Sequence, residues 1–507
     1  MAKQTFLQGA FILVITSIIV KALGFLYQII VVRMIGTEGI GVYNMVYPLY
    51  TTVLLLATAG IPTAIVKFVA EDTARKNTQS VSGIMGMAIA IVLITSTISS
   101  LFLIFVSPAL IRKFYTDPRV IPAFLIMIPT LLMVAVSSCL KGYFQGLQDM
   151  RPTANNQLIE QAIRFSSGLL LVYLLHPYGL TWATVGLSLG VLLSEAGGLL
   201  YIWHLYTHRF QHPNLLKRPN SPTVKKLCTF GIPITLTRIT GTISYAAEAS
   251  LIPRQLIRSG TTLTQATSLF GELTGITFTL ISIPSTLTFS LATTLVPAIA
   301  ESFSNKQKKA LAERTGAAIG VTLWAGIPCA IILYFWGQEL TYLLFNVPNA
   351  GTLLRYLAPV SVFLYLCQTC SGILQGTGYV KTVFVISFIS NLLRLTGIFI
   401  FGGRPGAGLE GIVFSYIVSF IFSAVLNLII VKRVTGFKPD YGFGLRLLLG
   451  GILLCQLLKI TKGLIQGNII YLTALILLNV LLFFIFLYVS GDKYTRLVLD
   501  QIIKRKT

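Results

Sequence analysis

Long apolar runs recur fourteen times along this chain, and no other feature constrains its fold as strongly. Their approximate limits are 6–32, 43–70, 81–106, 120–144, 153–175, 181–206, 224–252, 268–300, 311–336, 352–375, 380–402, 409–431, 443–460 and 468–490. A bilayer core of about 30 Å takes about 20 helical residues to cross. Each run therefore reads as a membrane span, and those longer than about 25 residues predict tilt or extension past the bilayer. Barrel strands would be about 10 residues long with alternating polarity, a pattern the chain lacks. Pro62, Pro129, Pro284 and Pro297 fall inside runs and predict local breaks or kinks. The expected fold is an all-α polytopic membrane protein.

Charge settles what the apolar runs leave open. Only 11% of the 507 residues are charged, against about 25% in soluble domains. So few charges cannot clothe a water-facing surface. A soluble enzyme, a nucleic-acid-binding module and a disordered chain are excluded. The net charge of +23 would suggest nucleic acid in a soluble protein. Here it is topological. The N-terminus, the even-numbered loops and the C-terminus carry more than twice the Lys and Arg of the odd-numbered loops. That side is cytoplasmic by the positive-inside rule, which places both termini inside a cell membrane. No nucleic-acid partner is needed. The longest such loop, near 207–223, carries Arg209, Lys217 and Arg218 and joins two halves. The first run follows a single charge, Lys3, is long for a signal-peptide core and lacks a clear cleavage site. It is expected to be a retained span.

The chain repeats itself at an offset of 230 residues. Gly41 meets Gly271, Ala70-Glu71 meets Ala300-Glu301, and Pro129 meets Pro359. Gly142-x-x-Gln145-Gly146 meets Gly372-x-x-Gln375-Gly376, and Arg164 meets Arg394. Each match is weak alone, but one constant offset across both halves is not. The shift equals six spans, an even number, so the repeat is parallel and implies a pseudo-two-fold axis along the membrane normal. Spans 1–6 are expected to form one six-helix bundle (1–215) and spans 7–12 another (216–437), around a central cavity. Residues 438–507 would add two unrepeated spans and a tail. Two bundles meeting at a cleft suit alternating access by rocking.

Ionisable groups inside spans are expensive and mark a pathway by default. The basic ones in the bundles are Lys21, Lys67, Lys141, Arg164, Arg238, Arg355 and Arg394. The acidic ones are Glu160, Glu195, Glu248 and Glu272, and no aspartate lies within a span. Lys67, Lys141 and Arg355 lie near span ends and are expected to snorkel. Glu160 and Arg164 are four apart, which suits a structural pair as well as a pathway. Glu195 sits beside Gly197-Gly198, where a helix-packing role is an equal reading. Lys21, Arg238 and Arg394 are expected to line a wet cavity. A cationic cavity favours an anionic substrate, and Arg grips phosphate bidentately. A lipid carrying a pyrophosphate fits, its headgroup in the cleft and its tail in the bilayer.

No enzymatic signature accompanies these charges, and no cofactor is expected. Gly402-Gly403-Arg404-Pro405-Gly406 lacks the Lys-Ser/Thr of a phosphate-binding loop. His176, His204, His208 and His212 lack metalloprotease spacing. Cys367 and Cys370 form a lone CxxC in an apolar run, which reads as packing rather than a metal site.

Short motifs, in order and spacing, add a family. They are Met1-Ala-Lys-Gln-Thr-Phe-Leu7, Leu23-Gly-Phe25, Arg33-x-Ile-Gly36, Glu38-Gly-x-Gly41, Lys141-Gly-Tyr-Phe-Gln-Gly146 and Glu160-Gln-x-x-Arg164. Gly271-Glu-Leu-Thr-Gly275 and Leu295-Val-Pro-Ala-Ile299 follow in the second half. Over nearly its whole length the chain resembles the polysaccharide-flippase branch of the multidrug/oligosaccharidyl-lipid/polysaccharide exporter superfamily. The resemblance implies fourteen spans in two six-helix bundles and a cavity open alternately to each side. It implies a relation to lipid II flippases and to spore cortex peptidoglycan synthesis. It assigns the first-span cations of each half, Lys21 and Arg238, to the substrate, with Arg394 and Arg164 as further cationic candidates. Glu248 and Glu272 fall on motif positions, and with Glu160 they are the expected coupling or gating acids. The family commonly carries Arg where this chain has Lys21, so charge is kept and bidentate geometry is lost.

The expected function is outward translocation of an undecaprenyl-pyrophosphate-linked, lipid II-like precursor. Its partners would be that glycan lipid, membrane lipids and peptidoglycan polymerases. One alternative is a cation-coupled multidrug exporter of the same superfamily, against which the cationic excess argues. The other is a non-transporting scaffold for cortex-building enzymes.

Overall fold

A backbone crossing hydrocarbon must satisfy its own N–H and C=O groups, and this chain does so with helices. The computed structural model describes residues 6–75, 78–209, 221–462 and 469–496. Among these there is no strand. Lys3, His212, Lys217, Arg218 and the basic C-terminal residues lie outside them, as do the first five residues of the Met1–Leu7 motif. The chain divides into two compact units. One is Met1–Ile257 with Thr261–Gly271, and the other is Arg258–Gly260 with Glu272–Thr507.

The first unit holds α1 (Phe6–Thr58), α2 (Ile61–Ala74), α3 (Thr78–Phe114), α4 (Val120–Met127), α5 (Thr130–Gly146), α6 (Arg151–Leu175), α7 (Leu180–Arg209), α8 (Ser221–Arg258) and α9 (Leu263–Gly271). Its helix breaks fall where backbone chemistry asks for them. Within α1, Gly36 adopts φ 71° and ψ −178°, a region essentially closed to residues with a Cβ. Ala59 and Gly60 then take positive φ, and Pro62 restarts the helix in the first turn of α2, where its missing N–H costs nothing. Pro129 separates α4 from α5, as its position inside the fourth run predicts. The core is apolar side chains from α2, α3 and α5, among them Ile61, Ile65, Met85, Leu140 and Phe144, closed by Tyr206 of α7 and Leu227 of α8.

The second unit opens with a π-helical turn, Glu272–Thr277. It continues with α10 (Phe278–Ser304), α11 (Lys308–Phe335), α12 (Gly337–Phe345), α13 (Ala350–Gly376), α14 (Val380–Phe401), α15 (Gly408–Thr435), α16 (Tyr441–Lys462) and α17 (Ile469–Val489). α10 runs on through Pro284 and Pro297, so the irregular backbone of the eighth run lies upstream, in the wide turn. One core joins α10, α11, α13 and α15 through Ile299, Ile319, Leu374 and Val431. A second seats α16 and α17 on α11 through Ile332, Phe443, Leu454 and Phe483, with Trp336 just past the end of α11. Polar contacts pin the end of the described chain there: Trp324 Nε1 donates to Thr495 Oγ1 at 2.9 Å and the Tyr494 hydroxyl to the Gly316 carbonyl at 3.2 Å.

Twelve helical segments among the described residues are long and apolar enough to cross a membrane. Two places account for the difference from fourteen runs. α1 holds the first run and most of the second, joined across Gly36. α8 carries the seventh run and is not among the twelve. Large apolar side chains stand exposed along these helices, Phe105 at 79% and Ile460 at 73%. Such surface suits lipid rather than water.

Candidate functional site

The break between α1 and α2 creates a hollow. The left-handed turn at Ala59–Gly60 carries the chain against α8 so closely that a Cβ on Gly60 would collide with the Gly231 carbonyl. Beside this approach lies a cavity of about 310 Å³, lined from α1, α2, α5 and α8. Its wall combines the hydroxyl residues Thr51, Thr58, Thr63, Ser138, Thr235 and Thr242 with Leu54, Leu55 and Val134. Arg238 is the single charged group among the lining residues. Arg238 reaches this hollow from α8.

A second polar group of the same unit lies between α5, α6 and α7. Glu160 Oε1 accepts from Lys141 Nζ at 2.9 Å and from Asn156 Nδ2 at 2.6 Å. Arg164 Nη2 donates to Glu195 Oε1 at 2.8 Å and Nε to Ser194 Oγ at 3.3 Å. Glu160 and Arg164 thus pair across helices rather than with each other. Lys141, expected to reach for the membrane surface, is instead drawn inward by Glu160, with its side chain 17% exposed. The reason is local: Gly198 lies against the Glu160 side chain, where a Cβ would sit 2.5 Å from Cγ. The glycine pair after Glu195 therefore admits α6 onto α7, and the acid next to it meets the arginine this approach delivers.

The remaining candidates lie elsewhere in the two units. Lys21 is exposed on α1, and Glu248 is buried at 4% exposure on α8. In the second unit Glu272 is buried at the first position of the π-helical turn. Arg394 is buried on α14, donating to Asn391 Oδ1 at 3.0 Å, with its guanidinium 5.2 Å from the Tyr416 ring centre. Cys367 faces Ser423 at 3.0 Å, and Cys370 is buried, so the CxxC packs between α13 and α15.

Sequence reasoning missed a third constellation, at the end of the first unit where α3 gives way to α4. Asp117 is fully buried. It accepts from Arg119 Nε at 2.9 Å and Nη2 at 2.6 Å, and from Thr267 of α9 at 3.2 Å. Arg119 Nη1 reaches on to Glu38 of α1 at 2.7 Å. Its hydrogen bonds to Asp117, foremost, and to Glu38 hold the Arg119 guanidinium still further toward its charged form. Beside them Thr37 and Ser268 share a hydroxyl contact at 2.5 Å. Glu38 sits in a family motif, but Asp117-Pro118-Arg119 reads in sequence only as a polar turn. Arg119→Ala leaves Asp117 buried without its cation, with Thr267 still donating to it. The expected loss is about 3 kcal/mol, read as a lowered unfolding midpoint of the purified protein; an unchanged midpoint would contradict it.

The packing at this end has a symmetry. A Cβ on Gly41 would collide with the Thr267 carbonyl, and a Cβ on Gly271 with the Thr37 carbonyl. Both pairs are related by the sequence repeat, 37 to 267 and 41 to 271. Reciprocal contact of this kind is what a local two-fold axis between α1 and α9 produces.

Comparison with known proteins agrees with this architecture. The family described as Polysaccharide biosynthesis protein matches residues 6–303, and MatE matches residues 273–400. Stage V sporulation protein B of Bacillus subtilis (strain 168) is 30% identical over 86% of this chain and 85% of its own. Lipid II flippase MurJ of the same organism is 24% identical over 85% of this chain and 83% of its own. An inward-facing multidrug resistance MATE family transporter of the MOP superfamily superposes with a TM-score of 0.71 at 14% identity, covering 82% of this chain and 95% of its own. That likeness speaks for the fold. The chain is a multi-pass membrane transporter and not an enzyme. With more than half its length matched, the chain belongs to the polysaccharide biosynthesis protein family.

Proposed function

We propose that the protein is a flippase that moves an undecaprenyl-pyrophosphate-linked, lipid II-like precursor outward across the cytoplasmic membrane, for spore cortex synthesis. The observation that carries this reading is Arg238 alone among hydroxyls in the first-unit cavity of a chain from this family. A guanidinium there offers a bidentate grip on phosphate. The similarity to a sporulation protein and to a lipid II flippase supports the substrate class. In this reading both termini are cytoplasmic, the halves 1–215 and 216–437 rock about a central cavity, and 438–507 is an appendage. Lys21 and Arg394 would add cationic contacts as the cavity changes access, and Glu248 and Glu272 would serve coupling or gating. Peptidoglycan polymerases would take the delivered lipid. The multidrug-exporter alternative calls for an acidic site open to cationic drugs. Glu160 and Glu195 are both paired with cations instead.

The test is headgroup translocation in proteoliposomes, with fluorescent lipid II followed by its accessibility to an external quencher. Wild-type protein is expected to accelerate flipping over empty vesicles. Lys21→Gln/Arg238→Gln is expected to slow it at least about tenfold, the scale of a lost charged contact of about 1.4 kcal/mol or more. Full activity in that folded variant would remove both residues from the substrate path. No flipping by folded wild-type protein, with or without an imposed ion gradient, would favour the scaffold reading.

A further inference from the structure

We propose that the Arg238 cavity is a subsite with a hydrogen-bond-accepting wall. It would take the sugar next to the phosphate of a glycolipid headgroup and so distinguish a loaded polyprenyl carrier from a bare one. The inference rests on the flippase reading and deepens it.

The argument turns on where the threonine hydrogens go. Thr51 Oγ1 donates to the Pro48 carbonyl at 3.0 Å and Thr58 to Leu54 at 3.0 Å. Thr235 donates to the Gly231 carbonyl at 3.2 Å and Thr242 to Ile239 at 3.1 Å. A hydroxyl has one hydrogen and two lone pairs. In all four the hydrogen is engaged by the residue's own helix, so lone pairs remain for the cavity. At these four of its six hydroxyl residues the wall accepts hydrogen bonds, and the donor in it that carries charge is the fork of Arg238.

A matching ligand must therefore bring O–H or N–H groups to the threonines and negative charge to the arginine. A pyrophosphate alone brings acceptors only. It satisfies Arg238 and sets oxygen lone pairs against oxygen lone pairs at those four threonines. An amino sugar joined to that phosphate brings hydroxyl and amide donors, and its ring has Leu54, Leu55 and Val134 to lie on. The volume of about 310 Å³ lies at the lower end of the range for small-ligand pockets. A site built to pair a ligand's hydroxyls rejects the analogue that lacks them, because its own polar groups are left unpaired.

The experiment measures binding to the full-length protein in nanodiscs. Three probes are compared: undecaprenyl pyrophosphate, undecaprenyl pyrophosphate bearing N-acetylglucosamine, and the soluble sugar nucleotide UDP-N-acetylglucosamine. Wild-type protein is expected to prefer the sugar-bearing lipid over the bare one by at least about tenfold. Thr51→Val/Thr235→Val/Thr242→Val keeps shape and removes the acceptors, and its preference is expected to fall below about threefold. Thr51→Ser/Thr235→Ser/Thr242→Ser keeps the acceptors and should keep the preference. This second variant separates chemistry from a folding defect. A preference that survives the valines, or is absent from wild-type protein, overturns the subsite. Equal or tighter binding of the sugar nucleotide overturns a lipid headgroup as the occupant. Failure of the flippase reading looks different: folded wild-type protein neither binds nor translocates either lipid.

Discussion

Gly41→Val is expected to slow lipid translocation at least about tenfold and to lower the yield of folded protein, with Gly271→Val doing the same. The two positions are one contact seen from either side. A side chain on Gly41 strikes the Thr267 carbonyl, and one on Gly271 strikes the Thr37 carbonyl. The obstacle is backbone in each case, so no rotamer change relieves it. Overpacking of a well-packed contact costs about 1–3 kcal/mol, and here the strain parts α1 from α9 where Thr37 meets Ser268 and Arg119 meets Glu38. In the proposed orientation this is the outer end of the first unit, so its separation would also disturb closure on that side. Gly83→Ala is the matched control, because a Cβ there meets nothing within 4 Å. Translocation and folded yield are measured side by side in all three variants. Wild-type behaviour of Gly41→Val would show that the approach of the two helices is dispensable.

Arg164→Met is expected to destabilise the protein by about 3–5 kcal/mol, because it strands Glu195 among α6, α7 and the bilayer without its cation. Glu195 is 9% exposed and its side chain receives Arg164 Nη2 at 2.8 Å. Removing one partner of a buried ion pair is far more damaging than removing both. Arg164→Met/Glu195→Gln should therefore recover most of the lost stability in thermal unfolding of the purified protein. The double variant also separates structure from transport. If it folds and flips lipid at the wild-type rate, Arg164 is a packing cation rather than a substrate ligand. If it folds and does not flip, the pair belongs to the transport path. A single variant as stable as wild type would mean that Glu195 has another partner or is solvated.

The pairing of Lys141 with Glu160 shows why side-chain roles were harder to read than spans. Near the end of a run, a lysine has two outlets, the membrane surface or a carboxylate on another helix. Sequence spacing sees only groups on the same helix, which is why Glu160 and Arg164 look like partners at four residues apart. Their actual partners lie 19 and 31 residues away. The choice depends on how closely α6 and α7 approach, and that is set by Gly198 against Glu160 and by Gly190 against Gly168. Asp117 was invisible for the same reason. A polar turn becomes a buried anion only when α9 and α1 deliver Thr267 and, through Glu38, a second anchor for Arg119.

What the sequence determined by itself was everything governed by the solvent and by local backbone chemistry. Runs of apolar residues long enough for a bilayer dictate helices, because hydrocarbon offers the backbone no other partner. Pro62 and Pro129 both fall at helix junctions, Pro62 because the first turn of a helix has no use for its N–H and Pro129 because its missing N–H leaves one helical bond unmade. The offset of 230 residues announced a parallel repeat because both halves keep the same residue types at the same spacing over an even number of runs. Only the tertiary structure decided that repeat-related glycines touch across α1 and α9, which acids pair with which cations, and that Arg238 faces a wall of threonine oxygens. Those facts depend on distances between helices, and interhelical distance in a membrane is set by close packing of small residues, summed over whole faces.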